Sequence, residues 1–231
     1  MLPRGQVSGT ATSGDDTLAL MAGTRTSVLA LRHAESEWNA VGRWQGQADP
    51  PLTDAGMMQA VAAAKLLGTF DAVFASSLQR AADTAAIIAD SLGIGPVQLL
   101  DDLMESSFGP WQGLTISEIE SGWPGYLSAH RRPAGAEQPD DVFQRGVRAM
   151  QTIAAEFRGQ QALVITHAGL MRTLHRQLLN PVHVNDVTFN DTASLRFANL
   201  GGCWFHVSDD GQVEVGETVT LIDPQSFGDT L

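Results

Sequence analysis

The sequence predicts an α/β fold built on a largely parallel sheet with an antiparallel edge. Three observations carry that prediction. Short apolar runs of strand length alternate with longer segments of helical period through most of the chain. Beyond residue 194 the pattern becomes two-residue alternation broken by turn signals, as antiparallel strands require. Three of the strand-to-helix junctions also carry Arg or His, and in an open parallel sheet such junctions share the carboxyl edge, where ligands bind.

The elements follow in order. Residues 1–25 are rich in Gly, Ser, Thr and Asp with no sustained period. They read as a flexible leader to a single domain over residues 26–231, with Met21 as an alternative start. Residues 28–31 form an apolar strand that stops at Arg32 and His33. Residues 40–52 are a Gly-, Pro- and Gln-rich loop in which Pro50 and Pro51 block helix. Thr53 caps a helix to about Leu67, with Met57, Ala60, Val61, Ala64 and Leu67 at helical spacing and Gly68 at its end. Residues 71–75 are a second strand. Ser76 and Ser77 cap the helix that runs to Leu92, before Gly93. Residues 97–100 are a third strand. Residues 101–138 show no clear period, with a short helix near residues 117–120 and the stretch from 106 serving as a lid. Pro139 and Asp140 open an amphipathic helix to about Phe157, carrying Val142, Val147, Met150, Ile153 and Ala154 on one face. Residues 162–166 are a fourth strand. A helix over residues 169–179 follows, stopped by Asn180 and Pro181. Residues 194–219 are antiparallel strands with turns at 199–202 and 209–211.

Composition narrows the function. The chain has 231 residues, 43% of them hydrophobic, enough for a sizeable core. Its formal net charge of −12 repels nucleic acid and anionic membrane surfaces, and no basic patch offsets it. Lys65 is the single lysine among 14 cationic residues, so the cations are mostly guanidinium forks, suited to bidentate grip on oxyanions. Cys203 is alone, which leaves no internal disulfide and no cysteine metal cluster. No apolar run approaches the ~18 residues of a membrane span, and no secretory signal is visible. The expectation is a cytoplasmic protein with a small-molecule partner, no nucleic-acid or membrane partner, and a homodimer left open.

The polar junctions are the candidate site. Arg32 and His33 end the first strand. Arg80 enters just after the second, in Ser-Ser-Leu-Gln-Arg. His167 follows the fourth, in Thr-His-Ala-Gly. Helix amino termini at that edge add free N–H groups and partial positive charge, so the site suits a compact oxyanion. Glu105, after the third strand, reaches the same edge. His130, His175, His183 and His206 read as surface or packing histidines, and Trp38, Trp44 and Trp111 as core or wall aromatics. Arg131 and Arg132 are either a solvated turn or a substrate-sensing pair in the lid.

In these motifs the chain resembles the histidine phosphatase superfamily, of phosphoglycerate mutase-like fold. The opening Arg-His-Gly and Glu-Thr-x-Trp-Asn of that family are matched by Arg32-His33-Ala34-Glu35-Ser36-Glu37-Trp38-Asn39. Gln45-Gly46 and Pro51-Leu52-Thr53 match the next segments. Ser76, Arg80-Ala81 and Thr84-Ala85 match the third. Leu103, Glu105, Phe108-Gly109, Trp111 and Gly113 match the fourth, and Thr166-His167-Ala168-Gly169 the last. Ala34 stands where glycine is usual, a methyl that could crowd the phosphate. Gly135-Ala136-Glu137-Gln138 only partly matches Gly-Gly-Glu-Ser.

The resemblance implies a three-layer α/β/α domain and a phosphomonoester hydrolase acting through a phosphohistidine. It assigns His33 as nucleophile, Arg32, Arg80 and His167 as holders of the phosphoryl oxygens, and Glu105 as proton donor and then acceptor. Asn39, Gln45 and Ala168 become substrate contacts. No metal or other cofactor is implied, since the arginines supply the charge. The alternatives are a phosphoglycerate mutase and a non-catalytic phosphate-binding module. The mutase is disfavoured because residues 106–138 lack the Glu-Arg-His-Tyr stretch of cofactor-dependent mutases.

Overall fold

The computed structural model describes residues 24–179 and 195–222. Its centre is a sheet of six strands: β1 (Thr26–Arg32), β2 (Ala72–Ala75), β3 (Gln98–Leu99), β4 (Gln161–Thr166), β5 (Gly201–Val207) and β6 (Val213–Thr220). They lie in the order β3-β2-β4-β1-β5-β6. The first four in that order are parallel. β5 runs antiparallel to β1, and β6 antiparallel to β5.

Six helices accompany the sheet among the described residues: α1 (Glu37–Ala40), α2 (Asp54–Ala64), α3 (Gln79–Leu92), α4 (Ile116–Gly122), α5 (Pro139–Glu156) and α6 (Ala168–Leu179). Alternate strand residues feed two cores, as a pleat with both faces covered demands. Val28, Ala30, Phe74 and Val164 meet α5 and α6 through Met150, Ile153, Leu170 and Leu174. Leu29, Leu31, Val73 and Ile165 meet α2 and α3 through Ala60, Ala63, Ala85 and Ile88. The three-layer α/β/α reading holds.

Several local expectations need correction. Met57 and Val61 of α2 are 42% and 44% exposed, and the buried face is Gly56, Gln59, Ala60, Ala63 and Ala64. Small residues win that face because close approach is needed there: a Cβ on Gly56 would lie 2.1 Å from the Glu35 carbonyl oxygen. α2 also ends at Ala64, three residues before Leu67. The chain then tightens through Leu66 N–H to Ala63 O at 2.9 Å, and Gly68 is not its stop. Neither Ser76 nor Ser77 caps α3. Leu78 is the N-cap, without a side-chain bond, and both serines are engaged elsewhere.

Residues 101–138 hold more order than their sequence period suggests. Two 3₁₀ turns lie at Asp101–Leu103 and Gly109–Trp111. α4 opens on a capping box of Thr115 and Glu118. Of the leader, only residues 24 and 25 are described. Both are tied down: Thr24 N–H donates to Asp209 at 3.1 Å and Arg25 pairs with Glu214 at 3.2 Å. Asn180, Pro181, His183 and Ser194 lie outside the described residues. β5 starts at Gly201, so residues 199–200 alone form the first expected turn, while Asp209 and Asp210 turn between β5 and β6 as expected. No helix among the described residues is long and apolar enough to cross a membrane.

Candidate active site

The ladder sets the nucleophile candidate in place. Beyond the end of β1, His33 N–H still donates to Thr166 O at 2.9 Å, and Ser76 N–H donates to Ile165 O at 3.0 Å. β4 therefore registers both neighbours at the carboxyl edge. The Asn199 amide holds the His33 carbonyl at 2.9 Å from the other side.

The His33 ring is 3% exposed, and two contacts define its proton. Nδ1 lies 2.6 Å from Ala34 O, which can only accept, so Nδ1 carries the hydrogen. Arg80 Nε–H donates to His33 Nε2 at 3.2 Å, so Nε2 holds a lone pair. Burial first, then the Arg80 and Arg32 charges, push the His33 pKa well below its ordinary value, against the Ala34 bond that raises it. The ring is neutral at pH 7.

Arg80 is fully buried at the second position of α3. Its Nη2 and Nη1 donate to Gly46 O and Ala48 O, each at 2.8 Å, and Nη1 lies 3.8 Å from Asp49. Burial lowers its pKa to about 10, with Glu105 and Asp49 opposing, so it stays cationic at pH 7. Arg32 Nη1 donates to Phe197 O at 3.0 Å.

His167 is fully buried, its ring centroid 5.2 Å from that of His33. Its Nε2 lies 2.8 Å from Ser76 Oγ, which also accepts from Leu78 N–H. With Ser76 Oγ–H donating to Nε2, the imidazole hydrogen sits on Nδ1. That Nδ1 has no hydrogen-bond partner. A buried donor left open beside a nucleophile is a place for a ligand oxygen. Burial, and then Arg80, keep His167 neutral as well.

Glu105 is docked on the start of α6. Oε2 accepts from Gly169 N–H at 2.9 Å, and Oε1 from Leu170 N–H at 3.1 Å and Ser106 N–H at 2.8 Å. Gly169 is required there, since a Cβ would fall 2.3 Å from Oε1. Asn39 and Gln45 both turn their amide oxygens to Ser36 Oγ, at 3.1 and 2.9 Å, which leaves each NH₂ as a donor.

These side chains border one cavity of about 1180 Å³. Arg32, His33, Asn39, Gln45, Arg80, Glu105 and Ala168 line it, while His167 lies behind the wall, in ring contact with His33. Ala34 does not line it. Its methyl packs in the core of the α2 and α3 face, so the crowding expected from the missing glycine does not occur. Residues 106–138 form one wall. Trp44 meets Phe108 at a tilt and Trp111 edge-on, and Trp111 meets Trp123 and Tyr126 edge-on.

Sequence reasoning missed three groups and left a fourth, Arg132, open between a solvated turn and a substrate-sensing lid residue. Ser76 orients His167, and its signal was only its place after a strand. Arg172 lines the cavity four residues after Ala168, a spacing that puts both on one helix face. Arg145 and Glu137 form an ion pair at 2.7 Å beneath the Glu105 loop. Arg132 is partly buried rather than solvated, donating to Ser106 Oγ at 2.6 Å. Among the described residues, no group of three or more His, Cys, Asp or Glu side chains is placed to hold a metal ion.

Two guanidiniums, a neutral imidazole and an open imidazole N–H at the carboxyl edge of a parallel sheet define an oxyanion-handling site. Residues 28–209 match the family model of the histidine phosphatase superfamily (branch 1), and the chain belongs to that superfamily. It is 36% identical over 163 residues to a metal-independent phosphoserine phosphatase of Arabidopsis thaliana, covering 66% of this chain and 68% of that one. It is 31% identical over 216 residues to a glucosyl-3-phosphoglycerate phosphatase of Mycolicibacterium vanbaalenii, covering 87% and 89%. The share of a curated relative's length that it spans falls to 45% for mycobacterial proteins 37% identical over 169 residues. Among solved structures, the mycobacterial glucosyl-3-phosphoglycerate phosphatase complexed with VO₃ superposes with a TM-score of 0.69 at 28% identity, covering 85% of this chain and 98% of that one.

Proposed function

We propose that the protein hydrolyses a small phosphorylated metabolite through a phosphohistidine on His33. The observation that carries this reading is the Nε2 lone pair of a neutral, buried His33, with Arg32 and Arg80 on the same cavity and the His167 ring, its Nδ1 without a partner, 5.2 Å away. In the first displacement Nε2 attacks phosphorus and the ester P–O bond breaks. Glu105 gives a proton to the departing oxygen. In the second, water attacks phosphorus, Glu105 takes its proton, and the N–P bond breaks to release phosphate. Arg32, Arg80 and His167 stabilise the equatorial oxygens throughout, with the Asn39 and Gln45 amides as further donors. Ala168 borders the substrate, and residues 106–138 act as the lid over it. The named relatives are phosphatases of small phosphorylated substrates, and one was solved in complex with VO₃, which supports the same reading. With its lone, buried Cys203, the chain is assigned to the cytoplasm on this reading.

The test is phosphate release from a panel of metabolite phosphoesters. His33→Ala lowers turnover by roughly 10³-fold or more, and Glu105→Ala lowers it by roughly 10²-fold or more. A His33→Ala protein of near-full activity overturns the assignment. Isomer formation instead of free phosphate, in a bisphosphate-primed assay with 3-phosphoglycerate, would make the protein a mutase.

A further inference from the structure

We infer that the substrate carries a second anionic group, one helical turn from the phosphoryl group, and that Arg132 and Arg172 hold it. The inference rests on the phosphatase reading and adds to it the class of substrate.

The starting point is where the cations are. The chain is strongly acidic, at −12, with 14 cationic residues against 26 acidic ones. Yet eight arginines line this one cavity, against two carboxylates, Glu105 and Asp140. A phosphomonoester brings up to two negative charges at pH 7. Arg32 and Arg80, both beside His33, match that demand. Arg43 is spent elsewhere, on Glu118 at 3.2 Å. Of the five that remain, Arg131 lies 4.3 Å over the Tyr126 ring and Arg176 has a partner of its own; among the described residues Arg132, Arg172 and Arg196 have no carboxylate within ion-pair distance.

Their placement is that of a built subsite. The Arg132 guanidinium is locked by Ser106 Oγ and the Glu137 carbonyl and lies 5.7 Å over the Phe108 ring. Its Nε is buried with no hydrogen-bond partner, a donor whose desolvation is uncompensated unless something accepts from it. Arg172 stands one turn along α6 from Ala168, ~6 Å along the helix axis at 1.5 Å per residue. Burial depresses the Arg132 pKa, Glu105 and Glu137 oppose it, and Arg172 adds to the depression; burial and then Arg196 depress that of Arg172 against Glu105. The three guanidiniums on one wall repel one another, with Glu105 the carboxylate that opposes them. A ligand anion removes that repulsion and takes up the open donor. Guanidinium forks bind carboxylate and phosphate alike, so the common chemistry is an oxyanion at short distance from the ester.

The experiment compares phosphoesters in matched pairs. O-phosphoserine is set against O-phosphoethanolamine, and 3-phosphoglycerate against glycerol 1-phosphate, for a carboxylate. Fructose 1,6-bisphosphate is set against fructose 6-phosphate for a second phosphate. p-Nitrophenyl phosphate reports the hydrolase reading independently. The expected result is a kcat/KM at least ~10-fold higher for the anion-bearing member of one pair, chiefly through KM. In Arg172→Met and Arg132→Met that ratio falls towards one, and Arg172→Lys recovers part of it. The pair that discriminates identifies the group as carboxylate or phosphate. Hydrolysis of p-nitrophenyl phosphate with ratios near one in every pair overturns the inference and leaves the hydrolase standing. A ratio unchanged in folded Arg172→Met and Arg132→Met overturns it too. If Arg132→Met does not fold, Arg172→Met and Arg196→Gln carry the test. No turnover of any ester, p-nitrophenyl phosphate included, removes the reading underneath.

Discussion

On the proposed mechanism the His33 ring attacks phosphorus only while its Nε2 lone pair is free, and one carbonyl oxygen 2.6 Å from Nδ1 keeps it free. Burial enforces the same state from the other side, because an imidazolium beside Arg80 and Arg32 is doubly penalised. This has a consequence for stability. Unfolded, His33 and His167 protonate near the ordinary 6.5. Folded, both do so only well below it. Between those values the unfolded chain binds more protons, so stability is full above about pH 6.5 and declines as pH falls below it. Each histidine contributes a slope of up to about 1.4 kcal/mol per pH unit. Urea midpoints at pH 7.5 and 5.5 measure this, and His167→Gln should flatten the difference; equal midpoints in the native sequence would refute it. A second residue-scale prediction concerns Gly169. The Cβ of Gly169→Ala must displace the Glu105 carboxyl, 2.3 Å away. Misplacement by about 1 Å costs roughly 10²-fold in kcat. Steady-state kinetics should show that loss in kcat more than in KM.

At the scale of elements, the loop that bears Glu105 is gripped at both ends. The α5 side chain Arg145 donates to Asp102 O at 3.0 Å and to Met104 O, while also pairing with Glu137. Glu137 in turn accepts from Ser107 N–H at 3.1 Å. Thr166 Oγ1, at the end of β4, donates to Leu103 O at 2.7 Å. The loop has little regular structure of its own, and these bonds replace a ladder. Arg145 is buried and Glu137 half-buried, so Arg145→Met takes the guanidinium fork from that carboxylate and leaves it the Ser107 N–H. The expected cost is about 1–3 kcal/mol, read from denaturant unfolding. Conservative replacement, Arg145→Lys, restores part of the charge but not the fork, and should recover only part of the stability.

For the molecule as a whole, β4 is the reference. It lies between β2 and β1, and its carbonyls at Ile165 and Thr166 register Ser76 and His33. Ile165 is fully buried against the α2 and α3 core. Ile165→Ala should destabilise by about 2–5 kcal/mol, a large part of a domain's total of about 5–15. Met57→Ala and Val61→Ala, on the outward face of α2, should stay within about 0.5 kcal/mol. Urea midpoints of the three variants would settle which face of α2 packs, the point on which spacing alone misled. Apolar periodicity there selected the large side chains, whereas close backbone approach at Gly56 selected the small ones.

The sequence alone determined the order of strands and helices, the α/β class with its largely parallel sheet and antiparallel edge, and the presence of Arg32, His33, Arg80, Glu105 and His167 after strands. Each of those is local: strand length, helical period and junction residues are written within a few positions of one another. The tertiary structure alone decided which proton His33 carries, that Ser76 serves His167 instead of capping α3, and that Arg132, Arg145 and Arg172 point inward. In sequence an arginine reads as a solvated cation, because nothing within a few residues says what faces it. What faces it is set by the register of the sheet, which brings residues 165 positions apart, Arg32 and Phe197, to the border of one cavity.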